Sequence, residues 1–176
     1  VGQTWSRYSA RSSQSKALFH LSRPVQSGEV IDYFLSHTWQ DSAELKFQCL
    51  KQLVAEFRKS HGRSPTFWFD LVCIDPDARC EALRDLPINV MSCRRFLVLM
   101  SNNYPDRLWC VWELFSLFAF APSETAIRRV CLKQLNEEPN ADLLLKLLNF
   151  SVHSTQCFDP NQKARLLRVI QGLGSE

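Results

Sequence analysis

The chain has 176 residues, with 21 Lys and Arg against 18 Asp and Glu and a formal net charge of +3. The excess is local: residues 1–28 carry Arg7, Arg11, Lys16 and Arg23 and no acid, and the rest is near neutral at −1. This balance excludes a body built as a uniformly basic nucleic-acid or membrane binder, which needs clustered positive charge.

An apolar fraction of 45% and an aromatic fraction of 11% are ordinary for a packed domain. Seven cysteines, an odd number set mostly in apolar stretches, fit reduced core thiols and a cytoplasmic setting better than a disulfide framework. No apolar run follows the early charges, so no signal peptide is expected, and a first residue of Val fits a piece cut from a longer chain. The longest apolar stretch, Trp109–Ala121, is interrupted by Glu113 and Ser116 and is too short to span a bilayer. Residues 1–28 read as a Ser-rich basic arm or linker, and residues 29–176 as one domain.

In chain order, Val30 to Leu35 predicts a buried strand that ends at Ser36-His37-Thr38. Asp41 or Ser42 can cap a following helix. Its apolar positions are Phe47, Leu50, Leu53, Val54 and Phe57, and Gly62 stops it. Thr66 to Phe69 predicts a second strand ending at Asp70. A polar turn and a short helix from Ala82 to Cys93, with Pro87 inside, come next. Phe96 to Met100 is a third strand. A polar loop leads to Asp106, a good N-cap for a helix that ends before Pro122. Arg129 to Leu135 predicts a fourth strand, Ala141 to Phe150 a Leu-rich helix and Thr155 to Phe158 a short fifth strand. Asp159-Pro160 opens a last helix closing near Gly172. Five apolar strands alternating with helices predict an α/β fold. Its form is a flavodoxin-like three-layer sandwich, a five-stranded parallel sheet with helices on both faces. Ligands of such sheets sit at the carboxyl ends of the strands.

The helix after Asp106 holds one residue out of keeping with its surroundings. Asp106-Arg107-Leu108-Trp109-Cys110-Val111-Trp112-Glu113-Leu114-Phe115 is apolar nearly all round, and Glu113 has no Lys or Arg three or four positions away. A buried Glu needs a partner. Two readings stand: a distant cation such as Arg94 or Arg95 pairs with it, or it faces a ligand in a cleft. The Cys and His spacings give no zinc pattern, and there is no Gly-rich phosphate loop.

Three motifs occur in order: Asp32-Tyr33-Phe34-Leu35-Ser36-His37, then Trp68-Phe69-Asp70, then Ser101-Asn102-Asn103-Tyr104 with Leu108-Trp109-Cys110-Val111-Trp112-Glu113-Leu114. Together they resemble the TIR (Toll/interleukin-1 receptor) domains, most of all the plant immune-receptor and animal axon-degeneration branches. The match runs from about Asp32 to Phe120. It implies cleavage of NAD at the nicotinamide–ribose bond, with NAD as substrate, no further cofactor and no metal. The family's catalytic glutamate falls on Glu113. The strand-one loop, Ser36, His37, Thr38 and Trp39, would line the nucleotide site together with Asp70, Trp109 and Cys110. Trp39 would stack on a base or lie on the surface, and Trp109 would wall the ribose or serve as a core aromatic. Cys110 fits packing better than nucleophilic attack. The resemblance also implies self-association into homo-oligomers. A non-catalytic signalling module and a base-exchange enzyme are its other outcomes. Two departures are visible: Thr38 and Trp39 stand where enzymatic relatives often carry basic residues, and Leu71 to Leu86 contains no Gly.

Overall fold

The computed structural model describes residues 18–75, 79–135 and 141–173, with the side chains of residues 79–83 outside that description. Most of the basic arm and part of the polar turn after Asp75 therefore lie outside the described residues. Where the arm is described, Arg23 is bound by Glu29 through two hydrogen bonds of 2.8 and 2.5 Å, so its charge is met by the first acid of the body.

The order of elements is β1 (Ile31–Ser36), α1 (Ala43–His61), β2 (Phe67–Phe69), α2 (Asp70–Cys73), α3 (Arg79–Ser92), β3 (Cys93–Met100), α4 (Leu108–Phe120), α5 (Ser123–Arg129), β4 (Val130–Gln134), α6 (Ala141–Leu148) and α7 (Pro160–Leu173). A single 3-10 turn, Val152–Ser154, precedes α7. Ser42 is the N-cap of α1, its Oγ accepting from the Leu45 N–H at 3.4 Å. Gly62 closes the helix with φ of 68°, a left-handed conformation in which a β-carbon would be strained. Of the expected apolar face of α1, Leu53 and Phe57 are buried, while Phe47 is exposed. From Cys49 and Leu50 onward the helix lies over the sheet's apolar residues, and its first turns do not.

The four strands are all parallel, in the order β2-β1-β3-β4. In register, Phe34 lies beside Trp68 and Phe96, and Leu97 beside Cys131. All six residues of β1 are buried, as a strand covered on both faces requires. One face carries Tyr33, Leu35, Leu97 and Leu99 against Leu53 and Phe57 of α1. The other packs Phe34, Phe96, Val98 and Met100 against Leu86 and Val90 of α3, Leu108 and Leu117 of α4, and Leu166 of α7. There Phe34 is stacked between Trp68 and Phe96, with ring centroids at 4.6 and 5.1 Å. This layout is compatible with a flavodoxin-like arrangement, with four strands among the described residues and not five.

The expected fifth strand does not join the sheet. Gln156 instead makes one isolated bridge to Arg107. Its N–H donates to the Asp106 carbonyl at 2.7 Å, and its carbonyl accepts from the Leu108 N–H at 3.0 Å. That N–H is one of the donors a helix start leaves unpaired, so this segment is spent on finishing α4. The same arrangement displaces Asp106 as the cap. Arg107 takes the N-cap position in extended conformation, with no side-chain cap, and the Asp106 carboxylate accepts from Lys146 at 2.6 Å. Among the described residues β4 is an edge strand of the sheet. The cysteines among the described residues are free thiols. No helix there is long and apolar enough to cross a membrane.

Candidate functional site

β1 and β3 end side by side at the centre of the sheet, where chain connections leave in opposite directions. This is the switch point at which open α/β sheets form their crevice. Ser36 is the last residue of β1, Ser101 follows β3, and α4 begins beyond the loop that holds Tyr104. α4 carries Glu113 under the end of β1. Glu113 is only 4% exposed, and Ser36 and Tyr104 are buried beside it.

The contacts at Glu113 are short and made by hydroxyl groups. Ser36 Oγ donates to Glu113 Oε2 at 2.5 Å and lies 2.7 Å from the Tyr104 hydroxyl. No cation within ion-pair distance of Glu113 is found among the described residues. The expected alternative pairing with Arg94 or Arg95 is not made: both arginines are exposed at the other end of β3. Burial, and after it the nearby negative charge of Asp70, pushes the Glu113 carboxyl well above its usual pKa, with the Ser36 hydrogen bond pulling the other way. Burial and the Asp70 charge both favour the neutral form of the carboxyl in the free site. Burial likewise raises Tyr104 well above the ordinary phenol value.

The strand-one loop lies alongside. His37 is buried, its ring edge-on to Phe69 at 5.1 Å. Burial, helped by Lys46, lowers its pKa to about 3, so it is neutral and its 3.9 Å approach to Asp70 is not an ion pair. Thr38 is buried, and its Oγ1 has no hydrogen-bond partner among the described residues. Trp39 is 50% exposed, and its indole N–H donates to Asp70 Oδ2 at 2.9 Å. Cys110 donates its thiol hydrogen to the His37 carbonyl at 3.3 Å. Burial, then Glu113 and Asp70, raise the thiol well above its ordinary pKa, which disfavours the thiolate a nucleophile needs. Cys110 thus ties α4 to the loop.

Seven of the eight anticipated residues fall into one connected cluster: Glu113, Ser36, His37, Thr38, Trp39, Asp70 and Cys110. Trp109 does not share their contacts. Its indole N–H donates to Gln162 Oε1 at 3.0 Å, which fixes α4 to α7. Two participants escaped the sequence reading. Tyr104 was visible only as the end of a loop motif. Lys46 donates to the Thr38 carbonyl at 2.9 Å, and its signal is positional: a lysine in the first turn of α1 sits against the helix dipole and needs a reason to be there. Burial lowers the Lys46 pKa, while Asp41, Asp70 and Cys110 oppose that shift.

Glu113 itself is almost out of reach of solvent. It does not line either of two shallow clefts, one beside α6 and one at the amino end of the sheet. No three His, Cys, Asp or Glu side chains gather into a metal-binding group among the described residues. Set against known protein families, characterised proteins and solved structures, the chain matches none of them.

Proposed function

We propose that the protein is a TIR-like NAD glycohydrolase of the cytoplasm that cleaves the nicotinamide–ribose bond, with Glu113 as its catalytic residue. One observation carries this reading. A carboxyl group is buried at the sheet's switch point, among hydroxyl groups and without a cation, where a purely structural Glu would be paired. Nicotinamide in NAD is a cationic leaving group and needs no general acid. Its departure leaves an oxocarbenium-like ribose, as in glycoside hydrolysis. A positive charge brought beside Glu113 favours the ionised carboxyl. The carboxylate then stabilises the charge that develops on the ribose. Ser36 and Tyr104 hold the carboxyl in place and give its proton a hydrogen-bonded route. Trp39, the most exposed aromatic of the cluster, suits stacking on a base.

The test is nicotinamide release from NAD, followed with the intact protein and with Glu113→Gln. Release that disappears in the variant is the expected result. No release at high protein concentration, or equal release from both proteins, sinks the assignment.

The second reading is a non-catalytic TIR-like module that self-associates. The low exposure of Glu113 favours it, as do Leu144, Leu145, Leu147 and Leu148 on α6, all exposed, with Leu148 at 74%. Sedimentation over a range of concentrations separates the two readings. Assembly without NAD turnover supports the module, and turnover lost with Glu113 supports the enzyme.

A further inference from the structure

α6 is amphipathic in the reverse sense for a helix on a protein surface. Counted at about 100° per residue, Leu144, Leu145, Leu147 and Leu148 share an arc of about 160°. All four are exposed, from 46% at Leu147 to 74% at Leu148. Lys146 stands opposite the middle of that arc, on the side turned to the body. Its ammonium donates to the Asn102 carbonyl at 3.0 Å and to Asp106 Oδ2 at 2.6 Å. Leu143 is the one buried residue of the helix. A surface helix ordinarily hides its apolar stripe and shows its charges. Here the charge anchors the helix and the stripe faces outward.

The chemistry of this face selects its occupant. Lys146 is the only charged residue of α6 beyond its first turn, and Asp106 meets it, so the leucine face is uncharged. A highly charged partner finds no countercharge there. A helix that lies on a membrane carries basic residues outward beside its apolar face, and this one turns its lysine inward. An uncharged apolar stripe meets no repulsion from its own copy. The spacing is also self-complementary. In an antiparallel pair about a two-fold axis, Leu144 of one helix falls on Leu148 of the other, and the reverse. The four leucines and Phe150, just beyond the helix, expose on the order of 500 Å² of apolar surface, near the top of what monomers leave uncovered. A standard interface takes about 800 Å² from each partner, so α6 supplies the larger share of one and sets a reversible dimer.

We infer that two copies of this chain pair through α6, antiparallel about a two-fold axis, with Leu144 and Leu148 at the centre and Leu145, Leu147 and Phe150 around them. The pairing gives the self-association reading its surface and rests on that reading. It does not depend on what Glu113 does.

Sedimentation velocity over a wide range of concentrations tests this with the wild type and with a double variant, Leu144→Gln with Leu148→Gln. Gln favours a helix about as well as Leu, and both positions are exposed, so the variant should keep the wild-type circular dichroism spectrum. The wild type is expected to pass from monomer to dimer. The dissociation constant of the variant should rise by about tenfold or more, because each lost leucine counts twice in a symmetric pair. Leu173→Gln, at an exposed position on α7, should dimerise as the wild type does, and so should Glu113→Gln. A dimer unchanged in the double variant, or weakened equally by Leu173→Gln, overturns the α6 pairing and leaves self-association to another surface. A monomer at every concentration overturns both. Binding to neutral lipid vesicles that is lost in the double variant assigns the face to a membrane and overturns the pairing.

Discussion

Two carboxyl groups at opposite ends of β1 have similarly little surface exposure, at different depths, and are electrostatically opposite. Asp32, at the start of the strand, is 3% exposed, and Glu113, under its end, is 4% exposed. Asp32 receives two hydrogen bonds from Arg63, at 2.6 and 2.8 Å, and others from the Thr66 N–H and hydroxyl. The Arg63 hydrogen bonds, opposed by burial, lead in lowering its pKa to about 2. Glu113 has Ser36 in place of an arginine, and its pKa moves up. Low exposure alone therefore does not decide the charge of a side chain; depth of burial and the partner decide it together. Asp32 is an ionised strut between β1 and the turn before β2. Glu113 is a carboxyl whose surroundings favour its neutral form.

The largest test of this contrast is chemical. If Glu113 is the group that meets the ribose cation, Glu113→Gln should lower the rate of nicotinamide release by about 100-fold or more, the scale set by losing one group aimed at developing charge. The same substitution should leave the far-ultraviolet circular dichroism unchanged, because a neutral amide replaces a carboxyl of the same shape.

At the other end, Asp32→Asn should cost about 1–3 kcal/mol in urea unfolding. It breaks a charge-assisted network, but Arg63 is half-exposed and water can solvate it afterwards.

Opposite pH limbs follow. Asp32 has a depressed pKa, so its contribution is present above its model-peptide value of 3.8 and is lost as pH falls toward about 2. Glu113 has a raised pKa, so its contribution is full below 4.5 and is lost as pH rises through its folded value. Unfolding free energies measured from pH 3 to pH 9 should show Glu113→Gln gaining on the wild type toward the alkaline end. Asp32→Asn should begin to lose its deficit at the acid end, below about pH 4. Parallel curves for all three proteins would refute the contrast.

The smallest effects come from the hydroxyl groups. Ser36→Ala and Tyr104→Phe should each cost about 1 kcal/mol, and the losses should not add, since both sit on the same hydrogen-bond chain.

Much of this was legible in the sequence for a physical reason. The runs in β1 and β3 are apolar on both faces, which only a covered parallel strand explains. Glu113 was conspicuous because α4 has no cation within one turn of it. Ser42, Gly62 and Pro160 marked helix ends through local backbone chemistry that needs no tertiary knowledge. What failed depended on distant contacts. Thr155–Phe158 has strand-like composition, but Gln156 was taken up by the start of α4. Asp106 has a capping side chain, yet Lys146, forty residues on, claimed it. Trp109 reads as either a ribose wall or a core aromatic, and its packing on the core and its bond to Gln162 on α7 fit the second. The bidentate hold of Arg63 on Asp32 left no trace in spacing at all.

The edge position of β4 has a consequence in time. Leu135 donates its N–H to the Met100 carbonyl at 2.9 Å, and amides of a parallel strand alternate in direction. Cys131 and Lys133 therefore direct their N–H groups inward to β3, and Leu132 directs its own outward, beneath an exposed side chain. Transferred to heavy water, Leu132 should lose its amide proton within the dead time of the experiment. The residues on either side should retain theirs until the sheet itself opens. One strand would thus carry two clocks, one read by the solvent and one by the fold.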